Sequence, residues 1–108
     1  MKPLNPEFVH EDSRRKLVQL LTADIKQVNV YEANHGVELG HHFHKETIEY
    51  FYVVRGTLEY NNKVIMKKGD IFYPAIGEMH TVKVISDKAT FMTFLTKPYD
   101  NERPDIHV

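Results

Sequence analysis

Between residues 25 and 96 the chain alternates short apolar runs with Gly, Asn, Pro or Asp, and the runs are rich in β-branched and aromatic side chains. That punctuation marks β-strands rather than helices. The pattern predicts strands near 25–33, 41–45, 48–55, 57–60, 63–67, 70–73, 79–85 and 89–96. Asn61-Asn62 parts Leu58-Glu59-Tyr60 from Lys63-Val64-Ile65 as a two-residue hairpin turn, because asparagine tolerates positive φ. Short strands at this regular spacing predict an all-β sandwich or barrel. Residues 11–24 are ambiguous. Leu17, Val18, Leu20 and Leu21 fit one face of a short helix capped by Ser13, and they also fit a strand. The strand is the preferred reading, with 1–24 as an N-terminal arm that completes the barrel. Residues 98–108 carry two prolines and several charges and are expected to form an irregular tail packed on a neighbour. The strand Glu49–Val54 is apolar on both parities, so both its faces should be covered, one of them by a second layer or by another copy in a homodimer.

Composition narrows the classes without choosing a function. The 108 residues suit one domain, taken as 1–108. The net charge of −1, with 14 basic and 15 acidic side chains, gives no electrostatic reason to expect nucleic acid. Cysteine is absent, which excludes disulfides and thiolate metal sites. The first residues lack the apolar core of a signal peptide, and no run approaches the roughly 20 apolar residues of a membrane helix. A cytoplasmic protein without membrane partners is the expectation.

Histidine is the compositional oddity. Four of the seven fall at positions 35, 41, 42 and 44. On a strand, alternate side chains share a face, so His42 and His44 can reach a common ion while Phe43 and His41 point away. Glu49 follows a short turn and can offer a carboxylate from the next strand. His80, which opens the run Val82-Lys83-Val84-Ile85, is the candidate for a fourth donor. Each residue alone has an ordinary reading as surface decoration, a solvated carboxylate or a turn histidine. Together, with Glu49 set between Ile48 and Phe51 in a buried strand, they call for a compensating charge. Three imidazoles and a carboxylate suit Fe, Mn, Ni, Co or Zn rather than calcium or magnesium. Phe51, Val53 and Val82 share parity with the ligands and are expected to line the pocket. The catalytic base is not identifiable: Tyr31 and His35 each need the right register to serve.

Gly36, His42, His44, Glu49 and Gly56 carry the fixed positions of the first cupin motif: glycine, five residues, His-X-His, four residues, Glu, six residues, glycine. Gly69-Asp70, Gly77 and His80 match the second motif, in which Pro74 falls one residue early and Val84 stands where many cupins have asparagine. Over residues 28–96 the chain therefore resembles the cupin superfamily. The resemblance implies a double-stranded β-helix (jelly-roll) barrel with one divalent metal on His42, His44, Glu49 and His80. Cupins include isomerases, epimerases, dioxygenases, decarboxylases and regulatory domains, so the fold alone does not select a reaction. The layout of Phe8–Arg14, Lys26–Tyr31 and the histidine-rich motif is similar to that of small cupins acting on nucleotide-linked sugars. The expected function is therefore metal-dependent isomerisation or epimerisation of a sugar or nucleotide sugar. An Fe(II) dioxygenase and a non-catalytic small-molecule sensor are the alternatives.

Overall fold

Alternation along the strands decides the layers. Glu49, Phe51 and Val53 are buried while Tyr50, Tyr52 and Val54, on the other parity, are only half-buried. A computed structural model describes all 108 residues and contains strands but no helix. In chain order they are β1 (Lys2–Leu4), β2 (Phe8–Glu11), β3 (Lys16–Gln19), β4 (Gln27–Asn34), β5 (Glu38–His42), β6 (Glu49–Arg55), β7 (Thr57–Tyr60), β8 (Val64–Lys67), β9 (Ile71–Tyr73), β10 (His80–Val84) and β11 (Lys88–Leu95). No helix is thus long and apolar enough to cross a membrane.

Two antiparallel sheets face each other, one in the order β1-β9-β6-β11-β4 and the other β5-β10-β7-β8. Their inner faces meet in one core, with Phe51, Val53, Phe72, Ala89 and Phe91 from the first sheet and Leu58, Tyr60, Met66, Val82 and Val84 from the second. Aromatic rings fill its centre: Phe51 stacks on Phe72 at 4.9 Å between centroids. This is the expected jelly-roll barrel. The Asn61–Asn62 turn also forms as predicted. Both residues have positive φ (50° and 57°), and the Lys63 N–H donates to the Tyr60 carbonyl at 3.0 Å.

Three expectations need correction. The strand predicted at 41–45 runs instead over Glu38–His42, and His44 lies beyond its end. The strand is also irregular. His80 pairs with His42 but Thr81 pairs with Gly40, so His41 is an extra residue bulged out of the ladder. Gly40 and His41 both take positive φ there. The N-terminal arm does not complete the barrel as one strand. Lys2–Leu4 adds to the edge of the five-stranded sheet beside β9, whereas β2 and β3 pair only with each other. The tail 98–108 is irregular as predicted, but it packs on its own barrel: Phe43 and His107 exchange two main-chain hydrogen bonds of 2.9 and 3.0 Å.

Candidate metal centre

The barrel brings four side chains from three places in the sequence to one point. His42 ends β5, His44 follows it, Glu49 opens β6 and His80 opens β10. One potential donor atom from each lies within 4.8 Å of all the others. The bulge matters here, because it turns His41 outward, where its Nδ1 lies 3.3 Å from Thr81 Oγ1, and keeps His42 opposite His80. The His42 and His80 rings sit 4.5 Å apart, edge to face. His44 Nε2 approaches Glu49 Oε1 at 3.2 Å, and His80 Nε2 approaches the same oxygen at 3.6 Å.

Burial makes these charges interdependent. His44, Glu49 and His80 are all buried, and His42 is half-buried. Burial alone would push the Glu49 carboxyl up, but His44 and His80 outweigh it and hold the acid down at about 2. Burial also opposes charge on His44, yet the hydrogen bond with Glu49 and the contact with Asp105 raise its pKa above the usual histidine value. His42 moves the other way, lowered by burial and then by the neighbouring His80 and His44.

The donor set fits a divalent transition metal. Ligand atoms on a shell of about 2.1 Å stand no more than roughly 4.2 Å apart, so closing the 4.8 Å set onto an ion takes a shift of well under 1 Å. The ionised carboxylate supplies the negative charge that such an ion neutralises. The buried Nδ1 of His80 has no hydrogen-bond partner, so ring packing against His42 and Phe51 and the approach of Nε2 to Glu49 orient that ring. On His44 the nitrogen facing away from the cluster is held: its Nδ1 donates to the main-chain carbonyl of Asp105 at 2.5 Å.

Two spaces adjoin the cluster. A mouth of about 400 Å³ is lined by Gln27, Asn29, Tyr31, His42, His44 and Glu49, and is walled by Pro98, Tyr99, Asp105 and Ile106. A smaller recess of about 240 Å³ runs inward past Tyr31, Phe51, Val82 and Phe91. Of the side chains expected to line the pocket, Phe51 and Val82 border the recess. Val53 borders neither space, because it lies one pleat deeper on β6 and is fully enclosed by the core. Of the two unresolved candidates for a base, Tyr31 faces the mouth, stacked on Phe91 at 4.8 Å. His35 lies at the far end of β4, bonded to the Ser86 carbonyl.

Sequence reasoning missed Gln27, Asn29 and Asp105. Gln27 donates to Asn29, and Asn29 donates to Thr93, a chain of neutral polar groups along the mouth. Asp105 accepts hydrogen bonds from the main-chain N–H groups of Lys45, Glu46 and Thr47 at 2.7–2.9 Å. No periodic signal marks such residues. Only the shared parity of Gln27 and Asn29 with Tyr31 on β4 could have pointed to the first two.

Comparison with known proteins agrees with this architecture. The UDP-2-acetamido-2,6-beta-L-arabino-hexul-4-ose reductase of Pseudomonas aeruginosa is 28% identical over 112 residues, a match covering 92% of this chain and 30% of that protein. The chain thus spans less than a third of that relative's length. Among solved structures, the capsular polysaccharide assembling protein CapF from Staphylococcus aureus superposes with a TM-score of 0.69 at 20% identity, covering 93% of this chain and 33% of CapF. The dTDP-6-deoxy-D-glucose-3,5-epimerase RmlC from Legionella pneumophila, in complex with dTDP-4-keto-L-rhamnose, gives 0.72 at 19% identity, covering 90% of this chain and 66% of that enzyme. These two likenesses establish a shared fold. The profile described as Cupin domain matches residues 29–96, and with more than half its length so matched the chain belongs to the cupin family.

Proposed function

We propose that the protein binds one divalent transition metal on His42, His44, Glu49 and His80 and uses it to epimerise or isomerise a nucleotide-linked keto sugar. The observation that carries the reading is the convergence of three imidazoles and one carboxylate beside an open mouth that Gln27, Asn29 and Tyr31 help to line. Several relatives support the substrate class. One is a UDP-2-acetamido-2,6-beta-L-arabino-hexul-4-ose reductase, and another was crystallised with dTDP-4-keto-L-rhamnose.

When bound, the metal would act as a Lewis acid that stabilises negative charge on a substrate oxygen. The protein's own residues do the rest. Gln27 and Asn29 present amides suited to sugar hydroxyls, and neither carries a charge that would compete for the ion. Burial, then the nearby Glu49 charge, raises the Tyr31 phenol above its usual value, so it stays protonated and can donate to a substrate oxygen. The core aromatics Phe51 and Phe91 give the recess behind the cluster an apolar wall. The reading includes a homodimer, because Val28 and Val30 stay 51% and 61% exposed on the outer face of the five-stranded sheet.

The test is proton exchange. Metal-reconstituted protein is incubated in D₂O with UDP- or dTDP-linked 4-keto hexoses, and deuterium at the carbons flanking the ketone is followed by NMR. Deuterium incorporation that requires metal and is lost on His42→Ala supports the reading; its absence with every such sugar refutes it. The same donor set suits ferrous iron, so substrate-dependent oxygen uptake with Fe(II) would favour the dioxygenase instead.

A further inference from the structure

The segment 98–108 folds back over the mouth, and one residue in it touches the candidate ligands' framework four times. Asp105 accepts the His44 Nδ1–H on its main-chain carbonyl at 2.5 Å. Its Oδ1 accepts from the Lys45 N–H, and its Oδ2 accepts from the Glu46 and Thr47 N–H groups, at 2.9, 2.8 and 2.7 Å. The loop it caps is the connection between His44 and Glu49, two of the four donors. His107 reinforces the arrangement. Its Nε2 lies 2.9 Å from Asp105 Oδ1, and its main chain pairs with Phe43, the residue between His42 and His44.

The chemistry of these contacts is directional. A carbonyl oxygen can only accept, so His44 must carry its proton on Nδ1. Nε2, which faces Glu49 at 3.2 Å, is then the nitrogen that would give up its proton to take a metal ion. The Asp105 carboxylate thereby ties the three successive N–H groups of residues 45–47 to the C-terminal segment. With the carboxylate among them the turn has one conformation, and His44 and Glu49 keep their spacing.

We infer that Asp105 is a positioning residue for the metal site: it fixes the tautomer and direction of His44 and sets the His44–Glu49 loop. The inference rests on the metal-binding reading above. It makes the strap a working part of the centre, since the segment that walls the mouth also orients a ligand.

A double-mutant cycle tests it. Zn(II) affinity is measured by competition with a chromogenic chelator for the wild-type chain, Asp105→Ala, His44→Ala and the double variant, with Co(II) absorption reporting coordination geometry. Asp105→Ala is expected to weaken Zn(II) binding by about 10- to 100-fold and to shift the Co(II) spectrum towards that of His44→Ala. In the His44→Ala background the same change should cost less affinity, because the carboxylate holds the loop that keeps the Asp105 carbonyl against that ring. An unchanged affinity in Asp105→Ala, or a loss that adds in full to that of His44→Ala, overturns the inference. Circular dichroism checks the fold. If Asp105→Ala does not fold, Asp105→Asn takes its place in the cycle, with an expected loss of about 3- to 10-fold that is smaller without His44; equal losses with and without His44 overturn it. A wild-type chain that binds neither Zn(II) nor Co(II) refutes the metal reading itself, whereas normal binding with additive losses refutes only the role of Asp105.

Discussion

Replacing Gly40 with alanine probes the joint on which the cluster depends. Gly40 sits at φ +107° beside the bulge, and a Cβ there would stand 2.5 Å from the His80 carbonyl oxygen and 3.3 Å from Thr81 Cα. Gly36 offers a matched control: its φ is +85°, but nothing lies within 4 Å of the position of its Cβ. Left-handed backbone costs an L-residue about 1–2 kcal/mol, so Gly36→Ala should destabilise by that much alone. Gly40→Ala pays the same strain and a clash as well. An ordinary carbon–oxygen contact is about 3.3 Å, so β5 and β10 must separate by most of an ångström. Their ladder weakens where His42 pairs with His80. The expected total is about 3–5 kcal/mol, roughly 2–3 kcal/mol beyond Gly36→Ala. Urea denaturation measures both, read from the midpoint at constant slope. The folded fraction of Gly40→Ala should also bind Zn(II) more weakly, since its backbone shift moves two donors. Equal destabilisation by the two substitutions would refute the claim that close approach at Gly40 sets the site.

Acid should destabilise the metal-free protein in a defined window. Glu49 is held at about 2 when folded, so its contribution is present above the ordinary carboxylate range and is lost as pH falls through the folded value. That contribution is on the order of 3 kcal/mol. Glu49→Gln should flatten acid unfolding between pH about 4.5 and 2, and an unchanged profile counts against the ion-paired cluster. His44 has the opposite sign. Its raised pKa lends stability below the ordinary histidine value that disappears as pH rises through the folded one, so His44→Ala should reduce the difference in metal-free stability between pH about 5.5 and 8. Metal removal gives the third test. A chelator should lower the melting temperature by roughly 10 °C or more if the ion is present at about 100 times its Kd, and the effect should vanish when His42 and His44 are both alanine. A wild-type melting curve indifferent to chelator refutes tight binding.

Most of the barrel was written in local pattern. Runs such as Glu49–Arg55 and Lys88–Leu95 alternate cleanly, because one parity meets the opposing sheet and the other does not. The four clustered side chains were legible for a related reason: His42, His44 and Glu49 lie close in sequence, and His80 opens an obvious strand. Three features escaped. An extra residue at His41 leaves no trace in composition, yet it breaks the register of the strand with β10. Asp105 acts on residues 58 to 61 positions away, and a single carboxylate capping a loop has no periodicity to betray it. Val53 shares parity with Glu49 and Phe51, but parity reports which face a residue takes and says nothing of its depth.

The ribbon formed by β2 and β3 pairs with neither barrel sheet, and Phe8, Val9 and Leu17 remain exposed on it. Two strands alone are marginal in water. In the isolated chain this element should therefore breathe independently: its amides will exchange with solvent long before those of β6 and β11, and a protease will nick it while the rest stays intact. The molecule thus has a rigid cup that carries the candidate metal site and a soft lever that does not, so changes in the lever alone should leave the cup's affinity for metal untouched.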